Sequence, residues 1–243
     1  MQDRGIAAYV AELVGTFFLV FFITTIGVLY VSVGESAQFG SDFAVVGLTV
    51  AFVLTALIIG IGVASGGHFN PAVTFGAALL RKISPIDAVI YILAQLSGGI
   101  LGALLTKGLL EDEGRASNFS TPAVSPLLGG AFQGFVVEVL GSFLLVLVVL
   151  IVALGVRAKK EWAPLAIGLT LGAIQMIFWP LTGAAVNPAR WFGPALVSGE
   201  FTDAWVYILA PLVGAALAFA MYVFVIAKAD ASEETAVAPG TQD

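Results

Sequence analysis

The stretch "GGHFNPAV", residues 66–73, sets the chain's one histidine, His68, beside an Asn-Pro step, Asn70-Pro71, between two apolar segments. The ten residues from the proline onward, "PAVTFGAALL" at 71–80, read as a helix. As a helix the segment is about 15 Å long, roughly half the hydrocarbon thickness of a bilayer. Proline is well placed at the first helical position, where its missing N–H loses nothing, and asparagine before it is a good N-cap. The stretch therefore reads as a polar turn leading into a helix that enters a membrane without crossing it. Irregular backbone at that depth is tolerated only where protein or a water-filled cavity covers it. Residues 65–70, "SGGHFN", are expected to line such a cavity.

Composition supplies the membrane. Of 243 residues, 59% are hydrophobic and 11% charged, far from the balance of a soluble domain. Apolar runs of about 20 residues start near Ala7, Phe43, Ala88, Gly130, Pro164 and Ala204, which gives six expected spans. The first continues from Ala7 to Val33 without the short core and small-residue cleavage site of a signal peptide, and is read as a retained helix. With no cysteine, disulfides and thiolate metal sites are excluded. The formal charge of −6 owes part of its value to "DASEETAVAPGTQD", residues 230–243. Segment 229–243 is expected to be a disordered acidic tail, and nothing in the charge pattern suggests a nucleic-acid partner. Arg4, Arg81, Lys82, Arg157, Lys159, Lys160 and Lys228 fall at span ends that a six-span bundle places together. The opposite ends hold only Lys107 and Arg115, beside Glu111, Asp112 and Glu113. Retention of positive charge on the cytoplasmic side predicts that both termini are cytoplasmic.

The chain also repeats itself. "AELVGTFFLVF" at 11–21 matches "VEVLGSFLLVL" at 137–147, and "FNPAVTFG" at 69–76 matches "VNPARWFG" at 186–193. Glu12 thus corresponds to Glu138, and Asn70 to Asn187; Glu12 and Asn70 lie 58 positions apart, Glu138 and Asn187 49. Each half carries three spans, so the second enters the membrane upside down. Inverted repeats of this kind are a transport architecture, with sites near the midplane where the repeats meet. One channel domain over residues 1–228 is expected, with repeats at about 7–109 and 130–228. Two half-helices would meet by their N-termini, whose dipoles repel cations, while the amides of Asn70 and Asn187 offer donors to a passing oxygen.

The paired boxes Asn70-Pro71-Ala72 and Asn187-Pro188-Ala189-Arg190, with "AELVGTF", "SGGHFNPAVT", "YILAQLSGG" and "VNPARWFGPAL", resemble the aquaporin, or major intrinsic protein, family. The likeness covers nearly the whole chain. It implies an all-α membrane protein of six transmembrane helices and two re-entrant half-helices, one pore per subunit, and a homotetramer in the lipid bilayer. It implies that Asn70 and Asn187 are central donors and that Arg190 stands at a narrow outer filter. Counted from the Asn boxes, the other filter positions fall on Val50, Gln175 and Ala184. A shift of one residue would bring in Thr49, Ala51 or Ile174. Water-selective members typically have Phe, His and a small residue there, and glycerol conductors Trp, Gly and Phe. This chain matches neither, so a wider constriction is expected, passing water with glycerol-, urea- or ammonia-like solutes. Trp191 stands where water channels of the family tend to have Ser and glycerol channels Asp, Ala195 looks more like a water channel, and Trp191 reads equally well as a packing residue.

The other polar residues carry competing readings. Glu12 and Glu138 lie inside apolar spans, where an ionisable group is a functional hypothesis. Their relation by the repeat favours a structural role accepting N–H groups of the re-entrant loops. A proton- or ion-coupled transporter would have to use them, and a strict water channel is the other alternative. His68 faces the inner vestibule or packs within its loop. Gln95 is read as a support for loop backbone. Gly98 with Gly102, and Gly168 with Gly172, are small-residue pairs suited to close helix crossing. No nucleophile, base and orienter pattern is present, so neither an enzyme nor a cofactor or metal is expected. Short connections around the spans suit an inner or plasma membrane of a prokaryote.

Overall fold

The computed structural model describes residues 5–31, 42–155 and 158–228, and all regular elements among them are helical. Arg4, Arg157 and the acidic tail at 229–243 lie outside the described residues. Six helices are long and apolar enough to cross a membrane: Ile6–Tyr30 (α1), Phe43–Gly60 (α2), Pro85–Leu109 (α5), Ala131–Leu154 (α7 and a π-helical turn), Ala163–Thr182 (α8) and Ala204–Ile226 (α10 and a second π-helical turn). They begin within three residues of the expected starts. Between them lie a single turn, Gly62–Ser65 (α3), two short helices, Pro71–Leu79 (α4) and Pro188–Ser198 (α9), and the connecting helix Glu111–Ala116 (α6). At 1.5 Å per residue α4 and α9 are about 14 and 17 Å long, too short to span a bilayer.

Local chemistry starts these helices. Asp42 Oδ1 accepts the N–H groups of Ala44 and Val45 at 3.1 Å each, satisfying two free donors at the head of α2. Ser84 Oγ accepts from the Asp87 N–H at 3.1 Å and donates to Asp87 Oδ2 at 2.6 Å, a reciprocal cap for α5. The Tyr9 hydroxyl donates to Asp87 Oδ1 at 2.7 Å, which ties the foot of α1 to α5.

The helices pack in the pairs that the repeat predicts. α1 lies along α5, α7 along α10, and α2 along α8. Each half-helix leans on the third span of the opposite repeat, α4 on α10 and α9 on α5. Apolar collapse does not drive helices together in lipid, so close backbone contact must. A Cβ at Gly214 would come within 2.6 Å of the Val139 carbonyl, and one at Gly172 within 2.6 Å of that of Gly47. A Cβ at Gly98 or Gly102 would strike the carbonyl of Leu13 or Phe17 on α1. Outward-facing side chains such as Phe52, Leu93, Ile177 and Phe224 are exposed and apolar, a surface suited to lipid.

Gly102→Val is therefore expected to separate α1 from α5 and cost at least on the order of 1–3 kcal/mol. Gly108→Val on the same helix meets nothing within 4 Å and is expected to be silent. Thermal unfolding of both variants in detergent checks this; equal midpoints would mean that the crossing does not depend on Gly102.

Candidate functional site

The two re-entrant loops correspond residue for residue, Ser65–Asn70 to Thr182–Asn187. Glu12, fully buried on α1, accepts from Ser65 Oγ (2.6 Å), His68 N (2.9 Å), Phe69 N (2.7 Å) and Gln95 Nε2 (2.7 Å). Glu138, fully buried on α7, accepts from Thr182 Oγ1 (2.6 Å), Ala185 N (2.9 Å) and Val186 N (2.6 Å). The Tyr91 and Tyr207 hydroxyls donate to the carbonyls of Ser65 and Thr182 at 2.8 and 3.0 Å. Phe69 and Val186 sit at φ 48° and 42°, left-handed backbone that costs a side-chain-bearing residue roughly 1–3 kcal/mol. It is maintained because the carboxylate fixes the N–H on that residue and on the one before it.

The same turn fixes the asparagines. Asn70 Oδ1 caps α4 by accepting from Ala72 N at 2.8 Å. Asn187 Oδ1 caps α9 by accepting from Ala189 N and Arg190 N at 3.0 and 3.3 Å. With its oxygen committed to the helix, each amide points its nitrogen away. Asn70 Nδ2 donates to Val186 O, and Asn187 Nδ2 to Phe69 O, both at 2.9 Å. An amide nitrogen carries two hydrogens, so one on each remains for the cavity that both asparagines line.

That cavity runs between the halves. It is lined by His68, Asn70, Asn187, Gln175 and Arg190 on its polar side, and by Leu19, Ile23, Leu54, Val73, Leu145, Ile167 and Leu171 on its apolar side. Its water-accessible volume is about 20 Å³, close to the roughly 10–15 Å³ that one water needs. Arg190, 1% exposed, holds the outer end: Nη1 donates to the Ser120 carbonyl at 3.0 Å, and the guanidinium lies 5.1 Å from the Trp179 ring centre. Arg190 Nε and Nη2 and Gln175 Oε1 are buried without a hydrogen-bond partner among the described residues. Ser120 closes a left-handed turn, Asn118, Phe119 and Ser120 at φ 49°, 50° and 58°. The buried Phe119 ring, packed where Gly114 has no side chain, anchors that turn. Outside it lies a wider mouth of about 290 Å³, lined by Gly27, Ser117, Ser120, Thr121, Trp179 and Gly183 among others.

A family model described as major intrinsic protein matches residues 2–222. The chain belongs to the major intrinsic protein family. It is 41% identical to Nodulin-26 of Glycine max over 85% of this chain and 73% of that one. It is 37% identical to glycerol uptake facilitator protein-like 6 of Lactiplantibacillus plantarum (86% and 94% covered). With aquaporin AqpM of Methanothermobacter thermautotrophicus it shares 34% identity (90% and 97% covered). Its fold is that of the aquaglyceroporin of Plasmodium falciparum, with TM-score 0.78 over 92% of this chain and 98% of that one at 24% identity.

Within this major intrinsic protein fold, Asn70, Pro71, Ala72, Asn187, Pro188, Ala189 and Arg190 come together at the meeting of the two half-helix N-termini. Gln175 joins them, with Nε2 donating to Ala184 O at 2.9 Å, which leaves its Oε1 without a partner among the described residues. Val50 and Ala184 are fully buried and are not among the cavity's lining residues. Val50 lies one turn outward of Leu54 on the same helix face, and Ala184 acts through its carbonyl. His68 lines the cavity while its Nδ1 pairs with Thr74 Oγ1 at 3.1 Å and its ring meets Tyr91 edge-on at 5.3 Å. Gln95 reaches Glu12 and Thr74 side chains, not the loop backbone. Trp191 is a packing residue, stacked on Tyr207 at 5.8 Å. Tyr91 and Tyr207 escaped the sequence reading, although "YILA" occurs at both 91–94 and 207–210. So did Trp179 and Ser120, for which the sequence carries no comparable signal.

Glu138→Gln replaces one acceptor oxygen by a donor that faces backbone N–H groups. At least one of three bonds is lost, at about 1–3 kcal/mol for each donor stranded. The variant is expected to unfold at a clearly lower temperature in detergent. An unchanged midpoint would show that the carboxylate does not hold the loop.

Proposed function

We propose that this chain is a passive channel for water and small neutral solutes of the glycerol, urea and ammonia type, and that it excludes ions. One observation carries the reading: a cavity with room for about one water lies at the meeting point of two half-helix N-termini, where Asn70, Asn187 and Arg190 line it. Positive helix ends and a buried guanidinium oppose cations. A neutral oxygen meets donors from both asparagines and from Arg190, and an acceptor on Gln175. The filter in this reading comprises Arg190, Gln175, the Ala184 carbonyl and Val50. Relatives named as aquaporins and as a glycerol uptake facilitator support the class. A coupled transporter would need a titrating site, and the bonds to Glu12 and Glu138 commit both to their loops. The channel is further proposed to act as a homotetramer in a cell membrane, with both termini cytoplasmic.

Osmotic shrinkage of proteoliposomes, measured separately for water, glycerol and urea, tests this directly. Water flux well above that of empty vesicles is expected, independent of any pH or sodium gradient. Rates equal to empty vesicles for every solute would end the channel reading, and dependence on either gradient would favour a transporter. Val50→Phe is expected to lower glycerol flux more than water flux, because a ring there would reach from the buried side of α2 into the passage beside Gln175. A constant ratio would remove Val50 from the filter.

A further inference from the structure

We propose that Trp179 is a specificity-determining residue: its indole, packed against Arg190 where the inner cavity meets the outer mouth, sets the largest solute that passes. The inference rests on the channel reading and concerns where along the pore size is judged.

On α8, Ile167, Leu171, Gln175 and Trp179 stand at steps of four residues, one face of the helix. The first three line the inner cavity; Trp179 lines the outer mouth. On α1, Leu19 and Ile23 line the inner cavity and Gly27, the next in the same stepping, lines the mouth. The two stripes meet at their outer ends. A Cβ at Gly27 would fall 2.8 Å from Trp179 Cζ2 and would also strike the Ser120 side chain. The indole therefore reaches from α8 to the backbone of α1, into room that exists only because residue 27 lacks a side chain. Its position is held on a third side by Arg190, 5.1 Å from the ring centre and itself tethered to the Ser120 carbonyl at 3.0 Å. Only 7% of Trp179 is exposed.

The consequence is a division of labour at the mouth. Arg190 Nε and Nη2 and Gln175 Oε1 supply hydrogen bonds to whatever passes, while the indole supplies width. Val50 and Ala184 do not line the cavity beside Gln175, and a large ring stands one turn further out. Size exclusion thus comes from α8 at residue 179, and hydrogen-bonding selection from the layer beneath it.

The test is stopped-flow shrinkage of vesicles carrying the wild type, Trp179→Ala and Trp179→Phe, with water, glycerol and urea. The glycerol-to-water permeability ratio is expected to rise by about tenfold for the alanine variant, as a contact of several carbons is removed from a size-selective wall. Phenylalanine, with a shorter reach, is expected to fall between alanine and tryptophan. A ratio equal to the wild type in an alanine variant that still conducts water overturns the proposal and leaves the channel reading standing. Wild-type water flux equal to empty vesicles overturns the channel reading itself. If the alanine variant does not elute with the wild type in size exclusion, the phenylalanine variant decides, a raised ratio supporting the proposal and an unchanged one refuting it.

Discussion

Irregular backbone in the middle of a bilayer has no water to bond with, and two buried carboxylates supply what water would. Glu12 and Glu138 each take two consecutive N–H groups and a hydroxyl of a re-entrant loop. Each thereby holds a residue, Phe69 or Val186, in a backbone conformation it would otherwise leave. That conformation turns the residue's carbonyl toward the other loop, and places Asn70 and Asn187 to cap their helices while showing an amide hydrogen to the cavity. An ionisable group is costly at this depth. Here the cost is offset by four hydrogen bonds at Glu12 and three at Glu138, and the outcome is geometry.

The halves share this backbone plan but are braced differently. In the first, Gln95 and Thr74 extend the hydrogen-bond network from Glu12 to His68. In the second, Pro211 stands at the position equivalent to Gln95, and Trp191, stacked on Tyr207 and edge-on to Phe201, fills the space by ring packing. The aromatic brace leaves Arg190, on the same helix, to be fixed by Trp179 of its own repeat and, from the connection between the repeats, by the strained turn that presents the Ser120 carbonyl. Symmetric scaffolding thus supports an asymmetric pore, polar and hydrogen-bonded at His68 and ring-walled at Arg190.

Much of this was legible in the residues themselves. Length and apolar runs placed the spans, because hydrocarbon thickness leaves little freedom. The duplication of "NPA" and of the leading glutamate located the loops, because identical local chemistry imposes identical turns. The filter was read less well. Counting from Asn187 reached Gln175, twelve residues upstream in the chain, but not how its amide would be held. That depends on the Ala184 carbonyl, whose direction is set by a φ of 45° that a non-glycine residue rarely adopts. Trp179 and Ser120 were invisible for a different reason. Their importance comes from what is missing opposite them, the side chain of Gly27, and from a left-handed turn with no sequence signature.

The exchange between Asn70 and Val186, and between Asn187 and Phe69, bears on how the molecule is made. The first repeat leaves the ribosome before the second, and by itself it holds the Phe69 carbonyl and the Asn70 amide with no mates at membrane depth. Only the inverted second copy carries their partners. The two loops therefore complete each other, and neither half closes these hydrogen bonds by itself. A substitution that moves either loop bears on the other, although more than a hundred residues separate the bonded pairs in the chain.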